Sequence, residues 1–442
     1  MQTDLLIVGA GPAGLAHAYW RKQADDGLGI LVVDRQPSPG GWVQTRVIDG
    51  YQCEEGPQGI RPNDASDELI ASLGIGELVR PASDQAKLRF VGRNGTLHAL
   101  PTGPGGLVRT DLFSVCGKLR LFMEPFCSRG KDPEESLASF VGRRFGPQTI
   151  PMAESLASGV YGGDAHALEM AAAFPKATGL ELNHGSILRG MIAKRKQARG
   201  KPRRPALCSF AGGMATLIEE LTKSVQDSMF LSCEVLAVEF ENDRWSVQLE
   251  GYGPSEIQAR ELVLAIPSSS AARILTGIDT ELAKSLAAIP YASIANVFLG
   301  LTRSETKEDP SGFGFLLDRR EQSPMLGAIY CSSLFPDAAP PGHALVRVMA
   351  GGVCRPDVTD WPDERLTNEA AEMLRKYTGR AVDIGFCHVS RALNAIPQYI
   401  KGHKARVCSI RELTRRHPGL ALVGNSYDEV SVVGQLRRPT RD

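Results

Sequence analysis

The chain has 442 residues, 43% of them hydrophobic, enough for two or three domains with substantial cores. Fifty basic residues balance fifty acidic ones, so no global charge selects nucleic acid as a partner. Nine scattered cysteines, with no CxxC pair, exclude a disulfide framework or zinc site and predict a reducing compartment. The sequence holds no run of eighteen apolar residues, so no membrane-spanning helix is expected. It enters its first strand with no room for a signal peptide, which predicts a cytoplasmic protein.

In chain order, residues 4–14 read Asp-Leu-Leu-Ile-Val-Gly-Ala-Gly-Pro-Ala-Gly. A short apolar strand ends in Gly9, Gly11 and Gly14 follow at dinucleotide-binding spacing, and residues 13–23 read as a helix. Gly9 permits the tight turn, Gly11 lets backbone approach a pyrophosphate, and Gly14 lets helix pack close on strand. The helix N-terminus offers free N–H groups to the phosphates. A second apolar run, residues 30–33, ends in Asp34, placed to accept from a ribose 2′-hydroxyl. Turn-rich loops follow at residues 37–42 and 54–62, then a helix near 67–73 and a hairpin, 87–91 with 96–100, around Arg93-Asn94-Gly95.

From Leu107 to Gly200 the pattern turns mostly helical, with basic and aromatic residues among apolar ones. Residues 194–204 carry seven basic side chains in eleven; they read either as a solvated loop between domains or as a patch facing anionic lipid. Beyond lie a helix at 216–224, a β-ribbon across 230–249, and a buried strand, 262–266, stopped by Pro267. Strands of a second sheet are expected at 294–301, 314–317, 325–330 and 345–350, a helix at 363–377, and a last buried strand at 420–425. No internal repeat is present. The eight histidines, His98 and His403 among them, show no metal spacing.

Several of these pieces together resemble one family. They are Gly40-Gly41-Trp42, Gly56-Pro57-Gln58-Gly59-Ile60-Arg61-Pro62, Leu97-His98-Ala99-Leu100-Pro101, Gly159-Val160-Tyr161-Gly162-Gly163-Asp164, Gly312-Phe313-Gly314-Phe315-Leu316 and Ile396-Pro397-Gln398-Tyr399. In this order, from residue 1 to about Tyr427, the chain resembles the oxygen-dependent protoporphyrinogen oxidases, within the superfamily of amine oxidases and phytoene desaturases. The resemblance implies non-covalent FAD and an α/β (mixed α+β) fold of three parts. A Rossmann-like FAD-binding domain would be assembled from residues 1–80, 205–267 and 395–442. A mixed-sheet substrate domain would take 81–101 and 268–394, and an inserted helical, membrane-contacting domain 102–204. The change of texture at Leu107 and Gly200 falls at the same places.

The implied reaction is oxidation of protoporphyrinogen IX to protoporphyrin IX, with O2 as acceptor and H2O2 as product. Flavin N5 would take hydride from the methylene bridges, so no catalytic side chain is expected; the protein must hold the ring system, anchor its propionates and exclude water. The implied partners are the porphyrinogen, O2, the inner membrane as a peripheral contact, and a second copy of the chain.

By the same resemblance, Gly9, Gly11, Ala13, Gly14, Asp34, Arg35, Gly40, Gly41, Trp42, Gly56, Pro57, Val235, Gly424, Tyr427, Val430 and Val432 would bind the cofactor. Leu316 and Met349 would sandwich pyrrole rings, with ordinary core packing as the alternative. Gly159 and Gly314 would lie close to substrate, or serve as plain turn glycines. A propionate would be anchored by Lys87, the better positional match, or by Arg89. Lysine would make a point-charge contact and not a bidentate fork. Glu54 reads as a supporting partner or a simple loop carboxylate.

The chain also departs from the family pattern. Ser38 stands where an arginine is frequent. After Tyr427, Glu429 replaces the glycine expected beside the flavin, Val433 and Gly434 replace an Asn-Asp pair, and Asp442 ends the sequence before a helix of normal length. A carboxylate beside an anionic reduced flavin is unfavourable, which puts FAD affinity and turnover in question. Coproporphyrinogen as substrate, another amine oxidase or desaturase activity, and a non-catalytic flavoprotein scaffold are the competing readings.

Overall fold

The computed structural model describes residues 1–197, 199–200, 204–302, 311–379 and 383–439. Part of the basic run, residues 198 and 201–203, therefore lies outside the described residues.

The opening strand Gln2–Val8 has Leu5, Leu6 and Ile7 without exposed surface, as expected of a parallel strand covered on both faces. It pairs in parallel with Ile30–Val33, from Leu5↔Ile30 to Val8↔Val33. On its other side it pairs with Glu256–Leu264, ending at Val8↔Leu264, and that strand in turn pairs in parallel with Leu420–Leu422. The antiparallel ribbon Cys233–Glu241 and Arg244–Gly251 extends one edge, and Met229–Phe230 closes the other. One face packs on the helices Pro12–Ala24 and Ala215–Lys223 through Leu15, Trp20, Leu217 and Leu221. The other face takes Ser268–Leu275, Thr280–Ala287 and His403–Thr414, through Leu275, Leu282, Leu286 and Ile410. Residues 268–287, expected with the second sheet, thus bury their apolar stripe against the first. Pro267 stops the strand, and the chain doubles back under it.

The second sheet runs Ile384–Pro397, Tyr291–Thr302, His343–Gly351, Met325–Tyr330, Gly314–Leu317, Arg89–Arg93, Thr96–Ala99. It is antiparallel except for the parallel pair Gly314–Leu317 and Arg89–Arg93, hence mixed. The expected hairpin turns at Asn94 and Gly95, both at positive φ, the conformation an Asn-Gly turn supplies. Alternation splits His343–Gly351: Val346, Val348 and Ala350 pack under the helix Asp363–Thr378, so Leu345, Arg347 and Met349 face the other way.

Residues 104–197 form the helical part, with a core of Leu137, Phe140, Ala157, Tyr161 and Leu168. Its buried Arg144 donates to Glu181 at 2.7 Å and Glu124 at 3.2 Å. Glu124 accepts from the N–H groups of Ile187 and Leu188 and so caps the helix Ile187–Gln197. This part is tied to the rest through Gln398, which donates to the Tyr161 carbonyl at 2.7 Å. Among the described residues no helix is long and apolar enough to cross a membrane.

Candidate functional site

Val33, Val8, Leu264 and Leu422 end four parallel strands in register, and ligands of open α/β sheets bind at such carboxyl ends. A cavity of about 1990 Å³ starts there and continues to the second sheet and the helical part. Typical small-molecule sites measure roughly 300–1,000 Å³, so this one has room for a dinucleotide and a second large molecule together.

The three opening glycines do different work. Gly9 has φ +109°, and a Cβ there would meet the Ala265 carbonyl oxygen at 2.5 Å. At Gly14 it would lie 1.9 Å from the Gly9 oxygen, whereas at Gly11 it would meet nothing within 4 Å. Two of them therefore allow packing and the third leaves space at the start of the helix Pro12–Ala24, whose N-cap has no side-chain partner. Asp34 is placed by accepting from the N–H of Ala10 at 2.6 Å and of Gln36 at 2.8 Å. Its carbonyl accepts from Cys233 at 2.9 Å, which brings the ribbon alongside and sets Val235 on the cavity wall.

Ala13, Arg35, Gly41, Trp42, Gly56 and Pro57 continue the wall. Gly40 stands behind it, donating to the Ala10 carbonyl at 2.8 Å, and Gly14 lies under the loop. At Gly56 a Cβ would fall 1.7 Å from the Trp42 oxygen, so the two loops touch backbone to backbone. Gly424, Val430 and Val432 line the far side, and Gly424 donates to Asp428 at 3.4 Å. Burial pushes the Asp428 carboxyl upward, opposed by that hydrogen bond and by Arg411. Tyr427 lies outside the cavity: its ring is packed into the core of the nucleotide sheet.

Glu429 does line the cavity, but its carboxylate is occupied. It accepts from the Ser431 hydroxyl at 2.7 Å and from Arg437 at 3.4 Å. A Cβ at Gly434 would meet the Glu429 Cβ at 2.4 Å, so the two replacements noted in the sequence fit each other. Arg437, largely exposed, places a positive charge beside the Glu429 carboxylate.

On the substrate side, Leu316, Met349, Gly159, Gly314 and Arg89 all line the cavity. The Gly159 position is closed by Leu316, whose Cδ2 would lie 2.5 Å from a Cβ. Gly314, at φ +130°, is required by strand pairing, because a Cβ would meet the Ala328 oxygen at 2.0 Å. Arg89 lies over the Phe313 ring, 4.5 Å from its centroid. Its pKa is lowered, first by burial and then by neighbouring Arg61. Lys87 lies elsewhere: it is exposed in a short turn before the strand, its ammonium paired with Asp84. Of the two candidate anchors, Arg89 lines the cavity and Lys87 does not.

Arg61, Asn296 and Arg347 are cavity residues that sequence reasoning did not assign. The signal was present. Arg61 belongs to the Gly56–Pro62 motif, and Asn296 and Arg347 are the single polar residues of the apolar runs 294–301 and 345–350. Glu54 lies behind the wall. Burial raises its pKa to about 7, although Thr45, Met214 and Gln52 hydrogen-bond it. His98 pairs with Asp111, and His403 stacks on Tyr399; both are structural. Among the described residues no cluster could hold a metal ion.

A dinucleotide cradle opening directly into a large, mostly apolar chamber defines a nucleotide-dependent oxidoreductase. Residues 12–436 match the family model of flavin containing amine oxidoreductases, and the chain belongs to that family. It is 32% identical to the chloroplastic protoporphyrinogen oxidase of Oryza sativa subsp. japonica, over 96% of this chain and 84% of that protein. It is equally 32% identical to the protoporphyrinogen oxidase of Homo sapiens, over 98% and 96%. The coproporphyrinogen III oxidase of Bacillus subtilis (strain 168) is 28% identical over 97% and 94%. Among solved structures, an Exiguobacterium sp. 255-15 protein provisionally assigned as a protoporphyrinogen oxidase superposes with a TM-score of 0.84 at 24% identity, over 98% of this chain and 96% of that one. A putrescine oxidase shares the fold at a TM-score of 0.71 and 15% identity, over 99% and 96%.

Proposed function

We propose that this protein oxidises protoporphyrinogen IX to protoporphyrin IX, with FAD as cofactor and O2 as terminal acceptor. The observation that carries the proposal is the single cavity. It joins the open Gly11 loop to a chamber walled by Leu316 and Met349 and holding Arg61 and Arg89, neither of which has an ion-pair partner among the described residues. FAD fits the cradle: Gly11 leaves room for a pyrophosphate, Asp34 faces the expected ribose, and Val235 the adenine. Bound there, FAD supplies the hydride acceptor and the route to oxygen. The chain does the rest. Leu316 and Met349 offer apolar surface to the macrocycle, Arg61 and Arg89 hold carboxylates, and the helical part covers the chamber from water.

The test is direct. Protein loaded with FAD and freed of excess should show a flavin absorbance band; its absence overturns the reading. Aerobic protoporphyrinogen should then yield porphyrin fluorescence well above the autoxidation blank. Coproporphyrinogen, in a parallel assay, is the second substrate to compare, because the Bacillus relative is named for it. The flavin band also tests the scaffold reading, which predicts flavin without porphyrinogen turnover or no flavin at all.

Peripheral attachment to the inner membrane, from the cytoplasmic side, belongs to the same proposal. Its support is a set of exposed apolar side chains in the helical part: Val115, Leu119, Phe122, Met123 and Phe126, with Lys118 and Arg120 among them. Exposed apolar clusters of this kind mark contact surfaces.

A further inference from the structure

Arg347 is buried at the junction of the two halves of the cavity. Its Nε and Nη2 donate to the Asn296 Oδ1 at 2.9 and 2.7 Å, and its Nη1 donates to the Gly56 carbonyl. These acceptors are neutral. Among the described residues no carboxylate pairs with it. The nearby acids are engaged: Glu55 with His388 at 2.8 Å and Arg46 at 3.1 Å, and Glu54 with Thr45 at 2.8 Å. A guanidinium has five N–H donors, so two remain. Burial lowers its pKa, opposed through space by Cys331, Glu54, Cys53 and Glu55; a buried cation with no directly paired carboxylate is costly.

The position indicates what the charge is for. Gly56, which Arg347 holds, rests on the Trp42 carbonyl, and a Cβ at neighbouring Gly41 would lie 3.4 Å from the Gly11 Cα. The arginine is thus joined by backbone contacts to the cofactor cradle. On its own strand it is two residues from Met349, on the same face and in the substrate chamber.

We infer that Arg347 is a positioning residue that supplies the buried counter-charge of the reduced flavin. This inference rests on the FAD reading above. Bound FAD would accept a hydride, two electrons and one proton, from a porphyrinogen methylene bridge and would then carry one negative charge for Arg347 to face. The substrate keeps the compensating positive charge until it loses a proton. A fixed cation at the ring stabilises the reduced form without moving. A substrate carboxylate is the other anion that the cavity admits, and Arg61 and Arg89 already meet that need.

The experiment is a redox titration of bound FAD in the absence of substrate, on wild type, Arg347→Gln and Arg347→Lys. Flavin retention by the wild type is measured first; its failure removes the FAD reading, separately from any result on Arg347. The neutral Gln variant should lower the two-electron equilibrium at least tenfold, about 30 mV, and the Lys variant should stay within threefold of wild type. An unchanged potential in Arg347→Gln overturns the inference. If the Gln variant does not hold flavin, the Lys variant decides, and a tenfold loss there overturns it. A rise in KM for porphyrinogen with unchanged potential would assign Arg347 to the substrate carboxylate instead and would also overturn it.

Discussion

A side chain at Gly11 would meet nothing within 4 Å, whereas one at Gly14 would strike the Gly9 carbonyl. Binding and folding are thereby separable. Gly11→Glu should keep the wild-type thermal midpoint and lose the flavin band, read by absorbance after desalting; Gly14→Glu should not fold. The two candidate anchors separate as cleanly. Arg89→Ala removes a charge-assisted contact worth roughly 1.5–3 kcal/mol, so KM for porphyrinogen should rise about 10- to 100-fold. Lys87→Ala, which removes an exposed ion pair with Asp84, should leave steady-state kinetics unchanged. Sequence favoured Lys87 by position alone, and alternation could not correct that, because positions 87 and 89 share parity along a strand and fall on one face. Only the turn at 84–87, which ends the alternation before Arg89, breaks the tie.

At the scale of elements, the strands were legible because their burial leaves near-continuous apolar runs, as in residues 4–8, 30–33 and 262–264. The helices at 268–287 were legible as helices but not in their allegiance, since an apolar stripe does not name the sheet it will cover. The loop after Leu422 was legible as a departure from the family pattern, but not in how it packs, for a related reason. Glu429 alone reads as a stray charge near the flavin, and its meaning depends on Ser431, Gly434 and Arg437 folding back upon it. Gly434→Ala should therefore destabilise the protein by about 1–3 kcal/mol, as overpacking does, and Glu429→Gly should rescue it. Thermal denaturation of both single variants and the double would show that coupling as non-additivity.

For the whole molecule, the ordered motifs made the family legible, whereas the cavity was not, because its walls come from residues hundreds of positions apart. The exposed apolar cluster was legible only as a change of texture, since exposure is not written in composition. Its consequence can be measured. The protein should sediment with vesicles containing anionic lipid. Exchanging Val115, Leu119 and Phe126 for serine should weaken that binding at least tenfold, since fully burying one such side chain contributes roughly 1.5–3 kcal/mol, while porphyrinogen oxidation in detergent is retained.

The central strand Gln2–Val8 finds one parallel neighbour within about thirty residues, but the next lies at 256–264, and that strand's own parallel partner lies at 420–422. Such pairings close very long loops and form late. During synthesis, the first strand must wait until most of the chain has left the ribosome. Until then its edge and the glycine loop are uncovered, available to chaperones or to mispairing. Cofactor loading should then follow synthesis: ribosome-bound chains stalled before residue 420 should capture no flavin, however complete their opening motif.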